Sequence, residues 1–184
     1  MKEIRWHGRG GQGGFTAARL LGMAASLTPG RHVQAFPSFG PERRGAPVLA
    51  FTRIDDQPIN DHSKVYTCDY VVVLDESLLE VVDIFEGLKA GGAVLINSAR
   101  GPGAFARPDG GMVYTVDATG LALEVLGQPV TSTPMFGAFV AATSLVGLPA
   151  ALTAVDMMMA ADSREANRRL VELAYHKLRG DLDG

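Results

Sequence analysis

The sequence predicts an open, mostly parallel α/β sheet with helices on both faces, and three observations carry that prediction. Short strand-like segments alternate with longer helical ones through most of the chain, the pattern of βαβ units. Two of those segments, "YVVVLD" and "AVLIN", are almost wholly apolar, as strands buried on both faces of a parallel sheet are. The first strand runs into a glycine-rich stretch and then a helix, "HGRGGQGGFTAARLLG", the strand–loop–helix context in which such sheets bind ligands.

Taken in order, residues 4–6 form the first strand. Residues 15–26, "FTAARLLGMAAS", form a helix rich in Ala and Leu that Thr28-Pro29-Gly30 ends. "HVQAF" at 32–36 is the second strand, followed by the irregular "PSFGPERRGAP", and "VLAFTRID" at 48–55 is the third, closed by a turn at Asp56-Gln57-Pro58. The strand at 70–75 leads to a helix at 78–88 and a buried strand at 93–97. "MVYTVDA" is the next strand and "GLALEVLG" the helix after it. Two further helices span 136–145 and 164–178, with "AVDMMMAA" a shorter one between them. Residues 98–111, "SARGPGAFARPDGG", read as an exposed loop. With no internal repeat and no low-complexity linker, the 184 residues are expected to form one domain, 1–184, large enough to bury its own core.

Composition removes several function classes. A formal charge of −3 offers no broad basic field for nucleic acid. The single cysteine, Cys68, can build neither a disulfide framework nor an iron–sulfur cluster within the chain. No apolar run approaches the roughly 20 residues that span a bilayer, and "MKEIRWHG" shows no secretory signal. A cytoplasmic protein without a nucleic-acid or membrane partner is therefore expected.

Gly8, Gly10 and Gly13 satisfy G-x-G-x-x-G. Glycine backbone N–H groups together with a helix N-terminus can hold phosphate oxygens. An NAD site would add an acid at the end of the second strand for the ribose, and "HVQAFPSFG" has none before Glu42. A P-loop would need Gly-Lys-Ser/Thr after the glycines, which is missing. The loop thus suits a phosphate-bearing ligand other than ordinary NAD, although the same glycines would also permit tight packing of helix on sheet. Gln12 supplies an uncharged amide that both donates and accepts. The stretch "FPSFGPERRGAPV", 36–48, is expected at the carboxyl edge beside the glycine loop, exposing Glu42, Arg43 and Arg44. Arginine there suits a phosphate, a carboxylate or an ion pair across a subunit contact.

Other polar residues read as structural. Asp75 and Asp117 each precede a helical segment and are expected to cap it. His7 is expected to be packed and hydrogen-bonded rather than catalytic. His62 beside Asp61 makes a poor metal site. Met157, Met158 and Met159 suit a core or a subunit contact, and Cys68 has no activating base in view. No catalytic residue and no metal ligand is assigned.

The stretches "HGRGGQG" and "FPSFGPERRGAPV", together with "DYVVVLDESLL", "LINS" and "TPMFGAF", resemble the gamma subunit of the 2-oxoacid:ferredoxin oxidoreductases, the pyruvate/2-ketoisovalerate type. The resemblance covers nearly the whole chain. One departure is that the family often carries Asn before the segment matching Pro134-Met135-Phe136-Gly137, where this chain has "VTST". The resemblance implies a Rossmann-like fold and a place in a complex that oxidatively decarboxylates a 2-oxoacid. In such a complex coenzyme A takes the acyl group, and electrons leave through iron–sulfur clusters to ferredoxin or a related acceptor. Thiamine diphosphate and magnesium belong to alpha and beta partner subunits, and the clusters to a delta-type subunit or domain. This chain agrees with that division, having neither cluster cysteines nor a Gly-Asp-Gly followed at a suitable distance by paired Asn.

By the same resemblance, Gly8, Gly10, Gly11, Gln12 and Gly13 are the expected cradle for coenzyme A, and Arg9 a phosphate contact. Ser38, Arg43 and Arg44 would contact either coenzyme A or another subunit. Coenzyme A carries a diphosphate and a ribose phosphate that an acid on the second strand would repel. Two alternatives stand beside this reading. One is a purely structural assembly subunit without a ligand; the other is a stand-alone nucleotide-dependent oxidoreductase, which the missing acid and missing catalytic constellation disfavour.

Overall fold

The computed structural model describes residues 1–38, 45–61, 63–106 and 110–183. Its strands are β1 (Lys2–Arg9), β2 (His32–Pro37), β3 (Pro47–Asp55), β4 (Cys68–Val73), β5 (Leu88–Asn97) and β6 (Met112–Val116). Its α-helices are α1 (Gly14–Ser26), α2 (Ala118–Leu126), α3 (Ser132–Thr143), α4 (Leu148–Met158) and α5 (Arg164–Asp183). One sheet runs in the order β2-β3-β1-β4-β5-β6. β1, β4, β5 and β6 pair in parallel, whereas β3 is antiparallel to both β1 and β2. The connection from Pro37 to Pro47 is shorter than the dozen or so residues a parallel crossover needs, so β3 can only fold back beside β2. The sheet is mostly parallel, as the sequence predicts, with β3 the reversed strand.

Alternation along β1 separates the two faces. Ile4 and Trp6 join the larger core, which takes Ala17, Leu20 and Leu21 of α1, Met135, Phe136 and Phe139 of α3, and residues of α4 and α5. The Trp6 indole N–H donates to Thr52 Oγ1 at 3.1 Å, and that hydroxyl donates to the Ala18 carbonyl at 3.0 Å. A buried polar pair thus fixes α1 on the sheet. Trp6 also stacks obliquely on Phe139, with ring centroids 5.4 Å apart.

On the opposite face Phe51, Val71, Val73, Val94 and Ile96 are covered by Leu78, Ile84 and neighbouring side chains. Helices do lie on both faces, but unequally. The α-helices share the first face, and the second is covered by the 3-10 helix Glu76–Glu80 and by Phe105, just after the 3-10 helix Pro102–Ala104.

This division corrects the α-helix expected at 78–88. After Glu80 the chain turns, with the Asp83 carboxylate accepting the Phe85 N–H at 2.9 Å, a side-chain bond that competes with helix. Gly87 then adopts φ 72°, and a Cβ there would overlap the Tyr66 carbonyl oxygen. The other expected elements hold with shifted ends. α3 starts before residue 136, α4 before residue 154, and β5 before residue 93. Within 98–111, residues 107–109 lie outside the described residues.

The second face of β1 carries Glu3, Arg5 and His7, all buried. Arg53, 1% exposed, pairs with Glu3 at 3.1 Å and Asp61 at 3.4 Å. Arg5 Nε donates to His7 Nε2 at 3.0 Å and its guanidinium also reaches the Ile84 and Glu86 carbonyls. His7 is therefore the packed, hydrogen-bonded side chain that the sequence predicts. Burial first, and the Arg5 charge second, lower its pKa from 6.5 to about 3.

Below pH 6.5 the unfolded chain binds a proton at His7 that the folded chain refuses, so stability is lost as pH falls from 6.5 toward 3. The expected slope from this residue is at most about 1.4 kcal/mol per pH unit. Urea titrations at stepped pH check it: His7→Asn should flatten the acid limb, and an unchanged limb would reject the assignment. Cys68 is buried on this same face, and burial pushes its thiol pKa up, which suits a structural cysteine.

Candidate functional site

β1 and β4 are parallel neighbours whose chains leave in opposite directions, β1 toward β2 and β3, β4 toward β5 and β6. A crevice opens outside the carboxyl ends of strands at such a divergence. The glycine loop stands there. Its turn is closed by Gln12 N–H donating to the Arg9 carbonyl at 3.0 Å, and its side is pinned by Gly10 N–H donating to Ala46 O at 3.0 Å. Gly11 and Gly13 hold φ 95° and 79°, left-handed conformations that glycine adopts without strain. Gly13 is also the N-cap of α1 and brings no side-chain capping bond. The first N–H groups of α1 therefore lack intrahelical partners and face outward.

A second helix start meets the first. A Cβ at Gly13 would lie 3.0 Å from Ser132 Cβ, so the bare glycine lets the N-terminus of α3 come up against that of α1. Thr131, the N-cap of α3, brings no side-chain capping bond either. Both starts open on one cleft of about 1020 Å³, lined among others by Gly11, Gly13, Asn97, Thr131, Ser132 and Met159. Two helix N-termini concentrate positive potential and free donors at one spot.

The walls are fixed by neutral and paired groups. Asp75 caps the 3-10 helix Glu76–Glu80, accepting Ser77 N–H at 3.0 Å and Ser77 Oγ–H at 2.7 Å. Its other oxygen accepts from Gln12 Nε2 at 2.8 Å and Arg9 Nε at 3.1 Å. Burial alone would raise its pKa; the Ser77 and Gln12 hydrogen bonds and the Arg9 charge outweigh it and hold the carboxyl below the usual range. Asn97, at the end of β5, donates to the Leu74 carbonyl and to Thr119 Oγ1, both at 2.9 Å, and ties the residue after β4 to the first turn of α2.

The expected site residues divide accordingly. Gly10, Gly11 and Gly13 line the cleft, as does Gln12, whose amide is spent on Asp75 and on Arg9 N–H at 2.7 Å. Gly8 sits inside β1 opposite Val48 and beneath the Gln12 side chain, 3.7 Å from Oε1 to its Cβ position. The Arg9 guanidinium is held by its own chain, through Asp75, Ser77 and the Gly45 carbonyl. Ser38 lines a separate cavity of about 480 Å³ with Phe36, Phe51 and Lys64. Arg43, Arg44 and His62 lie outside the described residues.

The later end of the 36–48 stretch does sit beside the glycine loop, through Gly45 and Ala46. Sequence reasoning missed Thr131, Ser132 and Asn97. The available signal was the hydroxyl run "TST" directly before Pro134, a composition that starts helices. Asp117 caps α2 as expected, accepting Gly120 N–H at 2.7 Å. Among the described residues no helix is long and apolar enough to cross a membrane.

The sequence matches the family "Pyruvate ferredoxin/flavodoxin oxidoreductase" over residues 3–177. It is 49% identical over 179 residues to pyruvate synthase subunit PorC of Methanothermobacter marburgensis, covering 97% of this chain and 98% of that one. It is 48% identical over 180 residues to the pyruvate/ketoisovalerate oxidoreductases common subunit gamma of Thermococcus kodakarensis, covering 96% and 97%. Its fold is similar to the crystal structure of pyruvate oxidoreductase subunit PORC of Thermotoga maritima, with a TM-score of 0.80, 38% identity and 95% of each chain covered.

Proposed function

The chain belongs to the pyruvate ferredoxin/flavodoxin oxidoreductase family, and on that premise we propose that it works as the coenzyme A-holding gamma subunit of a 2-oxoacid:ferredoxin oxidoreductase. It is a subunit of an oxidoreductase complex, as its full-length relatives are. Its 184 residues act as one domain in the cytoplasm, beside alpha and beta subunits that carry thiamine diphosphate and magnesium and a delta-type subunit or domain that carries iron–sulfur clusters. The complex decarboxylates a 2-oxoacid, hands the acyl group to coenzyme A and passes electrons to ferredoxin or a related acceptor. This chain supplies no catalytic side chain.

The observation that supports the coenzyme A role is the cleft where the starts of α1 and α3 converge on left-handed glycines. Such a cleft fits the phosphates of coenzyme A, because unpartnered backbone N–H groups bind anions without an arginine. Gly10, Gly11 and Gly13 form the cradle. Gly8 and Gln12 hold its shape, and Arg9 fixes the loop to Asp75 rather than reaching the ligand. Ser38, in its separate cavity, and Arg43 and Arg44 are assigned to contacts with another subunit.

The test is to purify the tagged chain from its own cell with whatever accompanies it. Hydrogen exchange of the recovered complex is then followed with and without coenzyme A. We expect thiamine- and cluster-bearing partners, and slower exchange over residues 10–16 when coenzyme A is present. Recovery of the chain alone would reject the subunit assembly. A complex whose glycine loop gains no protection would leave the purely structural subunit as the better reading.

A further inference from the structure

The two edges of the sheet differ. β2, at one edge, ends on Pro37, which offers no N–H, and its Gln34 side chain is tied to the Ile59 carbonyl at 3.2 Å. β6, at the other edge, reads MVYTV, with no charge, no proline and no break in its register with β5. Ser98 N–H donates to the Val116 carbonyl at 2.9 Å. Peptide groups alternate in direction along a strand. Those of Met112, Tyr114 and Val116 therefore face β5, and those of Val113 and Thr115 point away from the sheet. Among the described residues no strand pairs with that side. Proteins blunt free edges with charge, proline or a bulge, because an open edge recruits another chain. β6 has none of the three.

This edge is the floor of a groove of about 510 Å³. Residues 98–102 wall it on the second face, where Arg100 lies over Phe105, and Lys177, Leu178, Asp181 and Leu182 of α5 wall it on the first. Met112 and Leu182 line it and are 54% and 41% exposed. We infer that an extended segment of another subunit of the complex adds to the sheet beside β6, pairing with the peptide groups of Val113 and Thr115 and covering Met112 and Leu182 with apolar side chains. The inference rests on the chain's place in a complex and is independent of the coenzyme A role. A lone strand enters between the two walls, whereas a second copy's β6 would bring its own walls against these. Charge narrows the chemistry of the segment. Lys177 and Asp181 are exposed on the α5 wall, and neither is ion-paired among the described residues. Four residues of helix span about 6 Å, close to the roughly 6.7 Å between alternate side chains of a strand. A segment carrying an acid and a base two residues apart meets both.

The experiment compares hydrogen exchange of residues 112–116 in the full chain alone and in the assembled complex. In the chain alone the Val113 and Thr115 amides should exchange fast, and those of Tyr114 and Val116, which face β5, slowly. In the complex the two open amides should slow as well. Thr115→Pro removes an N–H that the sheet does not use, and proline is tolerated on such an edge. That chain alone should melt close to the parent, while its affinity for the rest of the complex falls about tenfold or more. Tyr114→Pro, which removes a ladder bond, should instead destabilise the chain itself. Lys177→Glu should weaken assembly about fivefold by setting like charges together.

A complex that holds this chain yet leaves the Val113 and Thr115 amides as fast as in the chain alone would overturn the inference, with the subunit assignment still standing. Unchanged affinity of a folded Thr115→Pro chain would do the same. If the chain alone dimerises and its two open amides are slow in the dimer, a second copy occupies the edge and the inference falls. An unaltered Lys177→Glu complex would strike the acid from the segment. Should Thr115→Pro fail to fold, the exchange comparison on the parent complex decides alone.

Discussion

Gly137→Ala is expected to destabilise the fold by about 3 kcal/mol, the upper part of the range for overpacking a tight core. Gly137 lies where α3 crosses α5 and is buried. A methyl there would overlap the Val171 carbonyl oxygen and lie 2.8 Å from Val171 Cα and 2.9 Å from its carbonyl carbon. The opposing atoms are backbone, so no rotamer change relieves them. The helices must part, and parting loosens Met135, Phe136 and Phe139, which carry the larger core.

The sign makes this result diagnostic, because glycine to alanine inside a helix otherwise stabilises by about 1 kcal/mol. Gly180 in α5 is the control: no atom lies within 4 Å of its Cβ position, so Gly180→Ala should hold or raise stability. Urea midpoints of the two variants decide the matter. A Gly137→Ala protein as stable as the parent would mean that the two helices do not cross this closely.

On the proposed coenzyme A role, Asp75→Ala is expected to weaken coenzyme A binding in the complex by about tenfold or more, and to lower stability by about 2 kcal/mol. One carboxylate joins four donors, from Ser77 N, Ser77 Oγ, Gln12 Nε2 and Arg9 Nε. Its removal uncaps the 3-10 helix Glu76–Glu80 and frees both side chains that hold the glycine loop. Partial exposure of Arg9 and Asp75 keeps the ion-pair share of that cost small.

The Asp75 pKa is held below its ordinary value, because the Ser77 and Gln12 bonds and Arg9 outweigh burial. Its contribution is therefore present above the ordinary carboxylate range, near 3.9, and is lost as pH falls through the lowered value. Measuring KM for coenzyme A alongside thermal unfolding separates the two effects. A variant with normal KM and reduced stability would confine Asp75 to capping and remove it from the positioning of the loop.

Several features were legible because their causes are local. Buried parallel strands announce themselves by apolar runs such as 70–75 and 93–97. Asp75 and Asp117 read as caps because a cap bonds to groups two or three residues away. The glycine loop was visible because left-handed turns demand glycine, and Gly11 and Gly13 adopt them. The family likeness extended that reading to an assembly.

Other features were not legible, and in each the deciding contact spans the chain. The α-helix expected at 78–88 gave way to turns because Gly87 packs against Tyr66. Arg9 looked like a free phosphate ligand until folding placed Asp75 beside it at 3.1 Å. The hydroxyl run before Pro134 carried no sign of its partner, because only the approach of α3 to Gly13 puts Ser132 in the cleft.

By itself, then, the sequence determined the strand–loop–helix start, the apolar parallel strands and the local caps, since backbone preference and hydrophobic patterning act over a few residues. Tertiary structure alone decided the meeting of two helix starts and which polar groups stay free to bind. Those outcomes depend on atoms far apart in the chain, brought together when the core around Trp6 and Phe139 closes.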